Sequence, residues 1–305
     1  MIKQSAYVLH KKLARGPRSI AKMYILLISV ISRRLPRYLS ARIQNSITQF
    51  TWPDLIFKPK AVTLADGIKV FVVPHLGEFD QSALFRIEMD YEAPVFAWLA
   101  DYAPDEYDKV IEIGANVGIY TIFLDALISR IKTSRLRKIV AFEPSQIAYS
   151  RLLTNINANR SQHVDVFQAA VGIKSGFEPF FEPAGHLTNG TFLRDFASIF
   201  ADAVSETTVL VVGAQELEPY FIDAEKVLLK IDVEGFEPSL ITALAPLIRK
   251  YDPDLLIEVL DTTIETLKEI DALARYRKFL ITTDGLRESP YLFASSDHRD
   301  WFLRV

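Results

Sequence analysis

Cysteine is absent from this chain of 305 residues. Its absence excludes a disulfide framework, a thiolate metal site and a cysteine nucleophile. It leaves the compartment open, although a cytoplasmic protein needs no disulfides. Long apolar runs are scarce as well. Met23 to Ser32, the most apolar part of the N-terminal segment, is too short to span a bilayer, which takes about 20 residues. Low-complexity tracts and internal repeats are missing, and half the residues are hydrophobic, so a packed globular protein is expected. There is no Gly-x-Ser-x-Gly elbow and no Walker phosphate loop. No two of the five histidines have metal-ligand spacing.

Acidic residues are missing from the first 53 positions, which hold ten Lys or Arg. Asp54 is the first carboxylate, and the rest of the chain carries 25 Lys or Arg against 38 Asp or Glu. This asymmetry points the N-terminal segment toward an anionic partner. A secretory signal is opposed by Arg33-Arg34 directly after the apolar run and by the lack of a cleavage site. Two readings stand. Residues 1–50 form a basic helical segment in peripheral contact with an anionic membrane. Alternatively, the helix packs its apolar side on the main domain and keeps its cations in water. The expected location is cytoplasmic, with or without that contact.

Three regions are expected: a basic helical extension over 1–60, a hairpin and helix leading into the core over 61–107, and the main domain over 108–305. A connector runs from Pro53 to Lys60. Asp66-Gly67 between β-prone runs predicts a hairpin. A helix from Glu92 to Tyr102 should end at Pro104. From Asp108 strands and helices alternate. Strands are expected at Val110–Ile113, Ile139–Phe142, Val164–Phe167, Ala170-Val171, Thr207–Val212, Val227–Ile231, Leu255–Val259 and Phe279–Thr283. Tyr291–Ala294 reads as a closing antiparallel strand, and 172–205 as irregular. Helices are expected at Val117–Ser129, from Ser145 to Asn157, at Pro238–Arg249 and at Thr263–Ala274. Such alternation calls for a mostly parallel sheet covered by helices on both faces.

Ile111-Glu112-Ile113-Gly114-Ala115-Asn116-Val117-Gly118 is a strand, a glycine turn and a helix start, the place where open α/β sheets hold nucleotides. The third glycine of a dinucleotide fingerprint is lacking. Glu112 would repel a pyrophosphate but suits the amino and sulfonium groups of S-adenosylmethionine. Glu143, ending the next strand in Ala141-Phe142-Glu143-Pro144, can take both hydroxyls of a ribose. The plain alternative is a pair of surface acids at strand ends.

These two segments, together with Leu229-Lys230-Ile231-Asp232-Val233-Glu234-Gly235-Phe236-Glu237, resemble the FkbM family of class I S-adenosylmethionine-dependent methyltransferases. The resemblance covers roughly Asp108 to Val259. It implies a Rossmann-like α/β fold, with a seven-stranded mostly parallel sheet and a C-terminal antiparallel hairpin. It also implies O-methyl transfer, commonly to sugars and natural products. Carried over by position, Glu112, Gly114, Asn116 and Gly118 would hold the methionine part of the cofactor. Glu143 would hold the ribose with Ser145 beside it, and Ala169-Ala170 would border the adenine. The segment Val212-Gly213-Ala214-Gln215-Glu216-Leu217 departs from the Thr-Leu-Asp run of many members, which bears on substrate specificity.

Asp232 and Glu234, two apart, would share a face of a continuing strand. They would take a divalent ion, with Asp232 as the metal ligand, or supply a base for an acceptor hydroxyl. The alternative is a turn cap at Asp232, with Glu234 or Glu237 pairing to Lys230. Glu258 at the same rim and His186 in the loop from Pro183 to Thr191 are further catalytic candidates. The expected acceptor is a hydroxyl of a sugar, glycan or glycoconjugate, and no nucleic-acid partner is expected. Two rival readings are a non-catalytic S-adenosylmethionine-binding module and an NAD-dependent enzyme, the latter disfavoured by the glycine count and Glu112.

Overall fold

A computed structural model describes residues 2–48 and 55–305. The start of the connector at Pro53 lies outside the described residues. The chain divides into two compact units, Met1–Tyr91 and Glu92–Val305.

The first unit contains helices α1 (Ile2–Ala14), α2 (Arg18–Ser32) and α3 (Arg37–Thr48). A hairpin follows, of β1 (Lys60–Thr63) and β2 (Lys69–Val72), and then a short α4 (Ser82–Phe85). The hairpin forms where Asp66-Gly67 predicts it, with Lys60 opposite Val72 and both turn residues at positive φ. Ala21, Ile25, Ile47, Phe57, Leu84 and Phe85 belong to a core cluster of this unit.

The second unit opens with α5 (Ala93–Glu106) and continues through β3 (Lys109–Ile113), α6 (Ile119–Arg130), β4 (Lys138–Phe142), α7 (Gln146–Asn159) and β5 (Val164–Phe167). Next come β6 (Ala170–Gly172), β7 (Gly176–Pro183), α8 (Arg194–Phe200), β8 (Val204–Gly213), α9 (Pro219–Ile222), β9 (Val227–Ile231) and α10 (Glu237–Tyr251). The unit ends with β10 (Asp254–Glu258), α11 (Ile264–Lys268), β11 (Arg277–Thr282), β12 (Gly285–Ser289) and β13 (Asp300–Arg304). Eight strands form one sheet among the described residues, in the order β12-β11-β13-β10-β9-β3-β4-β5. β10, β9, β3, β4 and β5 are mutually parallel. β13 runs antiparallel to both β10 and β11 and fills the place between them. The strands β3, β4 and β9 are buried along nearly their whole length, as parallel strands between two helical layers must be.

The structure is a mixed α/β fold of the expected class, with several corrections in detail. The main sheet has eight strands rather than seven. The stretch 172–205 is not irregular: it holds β7 and α8, and β7 pairs with β8 over eight residues. β6 and β8, expected in the main sheet, join β7 in a separate three-stranded sheet. Pro104 does not end its helix, which runs on to Glu106. The Pro104 carbonyl instead accepts from the backbone of Arg135 at 2.6 Å, so the loop before β4 satisfies a helix-end group. The helix expected over Thr263–Ala274 is a single α-turn plus a 3₁₀ turn. Tyr291–Ala294 is not a strand. The closing strands are β12 and β13, the latter carrying the fully buried Trp301 and Leu303.

Candidate active site

The turn between β3 and α6 is held by glycines that nothing else replaces. Gly114 has φ +87°, and a Cβ there would lie 1.7 Å from the backbone oxygen of Asp232. The amides of Gly114 and Ala115 both donate to the Phe142 carbonyl at 3.0 Å, which ties the turn to the end of β4. Asn116, with φ +52°, then aims its own amide at Glu143 Oε2, 2.7 Å away. Gly118, φ +81°, sits at the N-cap of α6.

Glu143 is almost wholly buried. Its Oε1 accepts from the Ser145 amide at 2.8 Å. Burial pushes its carboxyl up to about 7, partly offset by the Ser145 and Asn116 amides. Each oxygen keeps a second lone pair for a ligand. Ser145 caps α7 as expected: its Oγ accepts from the Ala148 amide at 3.3 Å and donates to Glu182 at 2.5 Å. Its hydroxyl is thus engaged within the protein. Ala169 and Ala170 are both buried, and Ala170 opens β6.

Glu112 lies inside β3, 1 % exposed. Its Oε2 accepts from Thr121 Oγ1 at 2.6 Å. Burial raises its carboxyl to about 7, against the pull of Lys230 and Thr121. Glu112 Oε1 and Asn116 Oδ1 are buried acceptors with no donor among the described residues. Unmet buried acceptors are costly, and two of them at one nucleotide-type turn fit a ligand that brings hydrogen-bond donors. The amino group and ribose hydroxyls of S-adenosylmethionine are such donors.

Lys230 stands opposite Glu112 in the β3–β9 ladder. Its Nζ is 3.0 Å from Asp232 Oδ2 and 4.4 Å from the centroid of the Tyr120 ring. Burial opposes its charge, but Asp232, Glu112 and Glu92 outweigh that and raise its pKa. The strand does not continue through Glu234. β9 ends at Ile231, and Glu234 and Gly235 turn at φ +52° and +90°. The cause is Glu237, fully buried, whose Oε1 accepts from the amides of Val233 and Gly235 at 2.9 and 3.3 Å. The pairing of Glu237 to Lys230 is replaced by this cap. Asp232 and Glu234 therefore do not share a strand face, although the two charges still interact.

Asp232, Glu237 and Glu258 each offer an oxygen within 4.8 Å of the others. Burial and the charge of Asp232 raise Glu234 to about 8. The same causes, with Glu234 and Asp300 added, raise Glu258 to about 10. Arg299 lies 3.6 Å from Glu258. Asn189 Nδ2 donates to Glu234 Oε2 at 3.2 Å. The ring of His186 lies instead beside Phe200, with centroids 6.1 Å apart. Among the described residues of this loop it is Asn189 that meets the carboxylates.

Residues 112–281, more than half of the chain, match the methyltransferase FkbM domain. The chain belongs to the FkbM methyltransferase family. That family is one of S-adenosylmethionine-dependent enzymes, and its domain spans both the glycine turn and the carboxylate group. Among solved structures, an FkbM methyltransferase from Methylobacillus flagellatus is 17 % identical, with a TM-score of 0.41. The match covers 66 % of this chain and 44 % of that one. The chain thus spans less than half of that relative. A rRNA methylase from Streptococcus thermophilus is 10 % identical over 70 % of this chain and 93 % of its own, with a TM-score of 0.37. A Streptococcus mutans protein solved in complex with SAH is 12 % identical over 70 % and 96 %, also with a TM-score of 0.37. No curated protein matches. Within the FkbM domain, sequence reasoning passed over Thr121 and the role of Asn189, and took Glu237 only as a partner for Lys230. Glu237 had a signal: an acid three residues after Glu234, at the start of an apolar helix, is placed to cap the turn before it.

Proposed function

We propose that this FkbM-family protein transfers a methyl group from S-adenosylmethionine to a hydroxyl of a sugar, glycan or glycoconjugate, with Asp232 as the general base. One observation carries the reading: the backbone of Asp232 packs directly against Gly114 of the cofactor turn. A cofactor in that turn and an acceptor at Asp232 are therefore neighbours. Glu112, Asn116 and Glu143 would hold the cofactor through the acceptors described above. When bound, S-adenosylmethionine supplies a methyl carbon that is already electrophilic. The protein has to position the acceptor oxygen and remove its proton. Lys230 Nζ, 3.0 Å away, holds the Asp232 carboxylate in place at the end of β9. The polar loop around Asn189 supplies donors suited to a polyhydroxylated acceptor.

Asp232, Glu237 and Glu258 would also accept a divalent cation through oxygen ligands. Lys230 already balances Asp232, and Glu237 Oε1 is committed to two amides. The base is therefore the primary reading and the cation the secondary one. In a labelled-methyl assay over lipid-linked and capsular glycans, Asp232→Asn is expected to keep cofactor affinity and lose turnover by about 100-fold or more. Full activity in that variant removes Asp232 from the mechanism. Activity that is lost on chelation and restored by magnesium would favour the cation.

A further inference from the structure

α2 is apolar well beyond the side it buries. A helix docked on a globular unit normally buries its large apolar side chains and shows polar ones to water. The residues α2 buries are Ala21, Ile25, Ser29 and Ser32. The two serines are satisfied internally: Ser29 Oγ donates to the Leu26 carbonyl at 2.8 Å, and Ser32 and Ser40 share a hydrogen bond of 2.7 Å. Ile25 is buried and Leu26 and Ile28 pack partly against the same core, but five further large apolar residues face outward. Met23, Leu27 and Val30 are 68, 61 and 58 % exposed, and Ile20 and Ile31 join them. Steps of three and four place all five on one stripe. A helix that covered all its apolar residues and kept only its cations in water would not show this stripe.

The charge around the stripe has one sign. Lys12 and Arg18 lie before it and Arg34 after it, all exposed, in a stretch of 53 residues without an acid. Any protein surface covering the stripe would have to meet this field as well. An anionic lipid surface offers both an apolar layer and negative headgroups at the depth each needs. No described helix is long and apolar enough to cross a membrane, and the 15 residues of α2 reach only about 22 Å along the axis.

We infer that α2 lies in the interface of an anionic bilayer, with Ile20, Met23, Leu27, Val30 and Ile31 in the acyl boundary and Lys12, Arg18 and Arg34 among the headgroups. This goes beyond the methyl-transfer reading and does not depend on it. The test is flotation of the full chain with vesicles of phosphatidylcholine, with and without phosphatidylglycerol, at low and high salt. The unmodified chain should float with the anionic vesicles and be released by salt. Leu27→Glu combined with Val30→Glu should weaken partitioning about tenfold or more, since each places a charge in the acyl boundary. Lys12→Gln with Arg34→Gln should weaken it about fivefold per cation removed. Unchanged thermal midpoints in both pairs would show that the fold is intact. Failure of the unmodified chain to float, or undiminished flotation of the glutamate pair, overturns the proposal. So does a concentration-dependent dimer that the glutamate pair abolishes without any vesicle binding, because the stripe would then be an interface between two copies.

Discussion

Each carboxylate oxygen of Glu143 is already held by an amide, Asn116 on one side and Ser145 on the other. This fixes the side chain in place before any ligand arrives and leaves outward lone pairs for hydroxyl donors. Glu143 and Glu112 both sit near 7 in the free protein because burial penalises their charged forms. A ligand that donates to them prefers the ionised carboxylates. Affinity for S-adenosylmethionine should therefore fall as pH drops through about 7, by up to about tenfold per pH unit for each proton that must leave. Calorimetry between about pH 6 and pH 8 reads this directly. A flat profile would show that neither carboxylate meets the ligand as a proton acceptor.

At the scale of elements, the end of β9 and the turn after β3 are one construction. Gly114→Ala would drive a Cβ into the Asp232 carbonyl and force apart two strand ends that the Asp232 amide joins to Ile113 at 3.1 Å. The variant should lose about 3 kcal/mol or more of stability, and its cofactor affinity with it. Chemical denaturation checks the first and calorimetry the second; near-native values for both would mean the turn has another way to fold. The strands flanking this turn were legible because parallel buried strands read as continuous apolar runs bounded by turn residues. The α7 cap was legible because Ser145 carries a side-chain signature. The small sheet was not. β7 exposes half of its residues, contains Pro179 and Pro183, and pairs through its backbone with β8, a partner about 30 residues away. A pairing of that kind leaves no periodic trace in the sequence. The turn at Glu234 was hidden for a similar reason. What bends it is a carboxylate three residues later, and local alternation alone continues the strand.

For the molecule as a whole, the buried acids set a direction of pH sensitivity. Glu112, Glu143 and Glu237 are each raised to about 7. Their contribution is complete below the ordinary carboxylate range and is lost as pH rises through 7, when each must ionise in a buried place. The ligand-free protein should lose on the order of 1–3 kcal/mol per group between about pH 5 and pH 9. Thermal scans across that range should show a falling midpoint, and a rising one would mean that these carboxylates are not buried neutral. The placement of β13 has a consequence for how the chain assembles. β10 and β11 both pair with residues 300–304, so that half of the sheet stays split while the polypeptide is being synthesised, until those residues emerge from the ribosome. The strands that carry the cofactor turn, β3, β4, β5 and β9, are all made earlier and are free to dock first. Glu258, Arg299 and Asp300 come together only afterwards. The Glu258 rim is therefore completed after the glycine turn, and a chain stopped before residue 299 would display that turn without Arg299 and Asp300 beside Glu258.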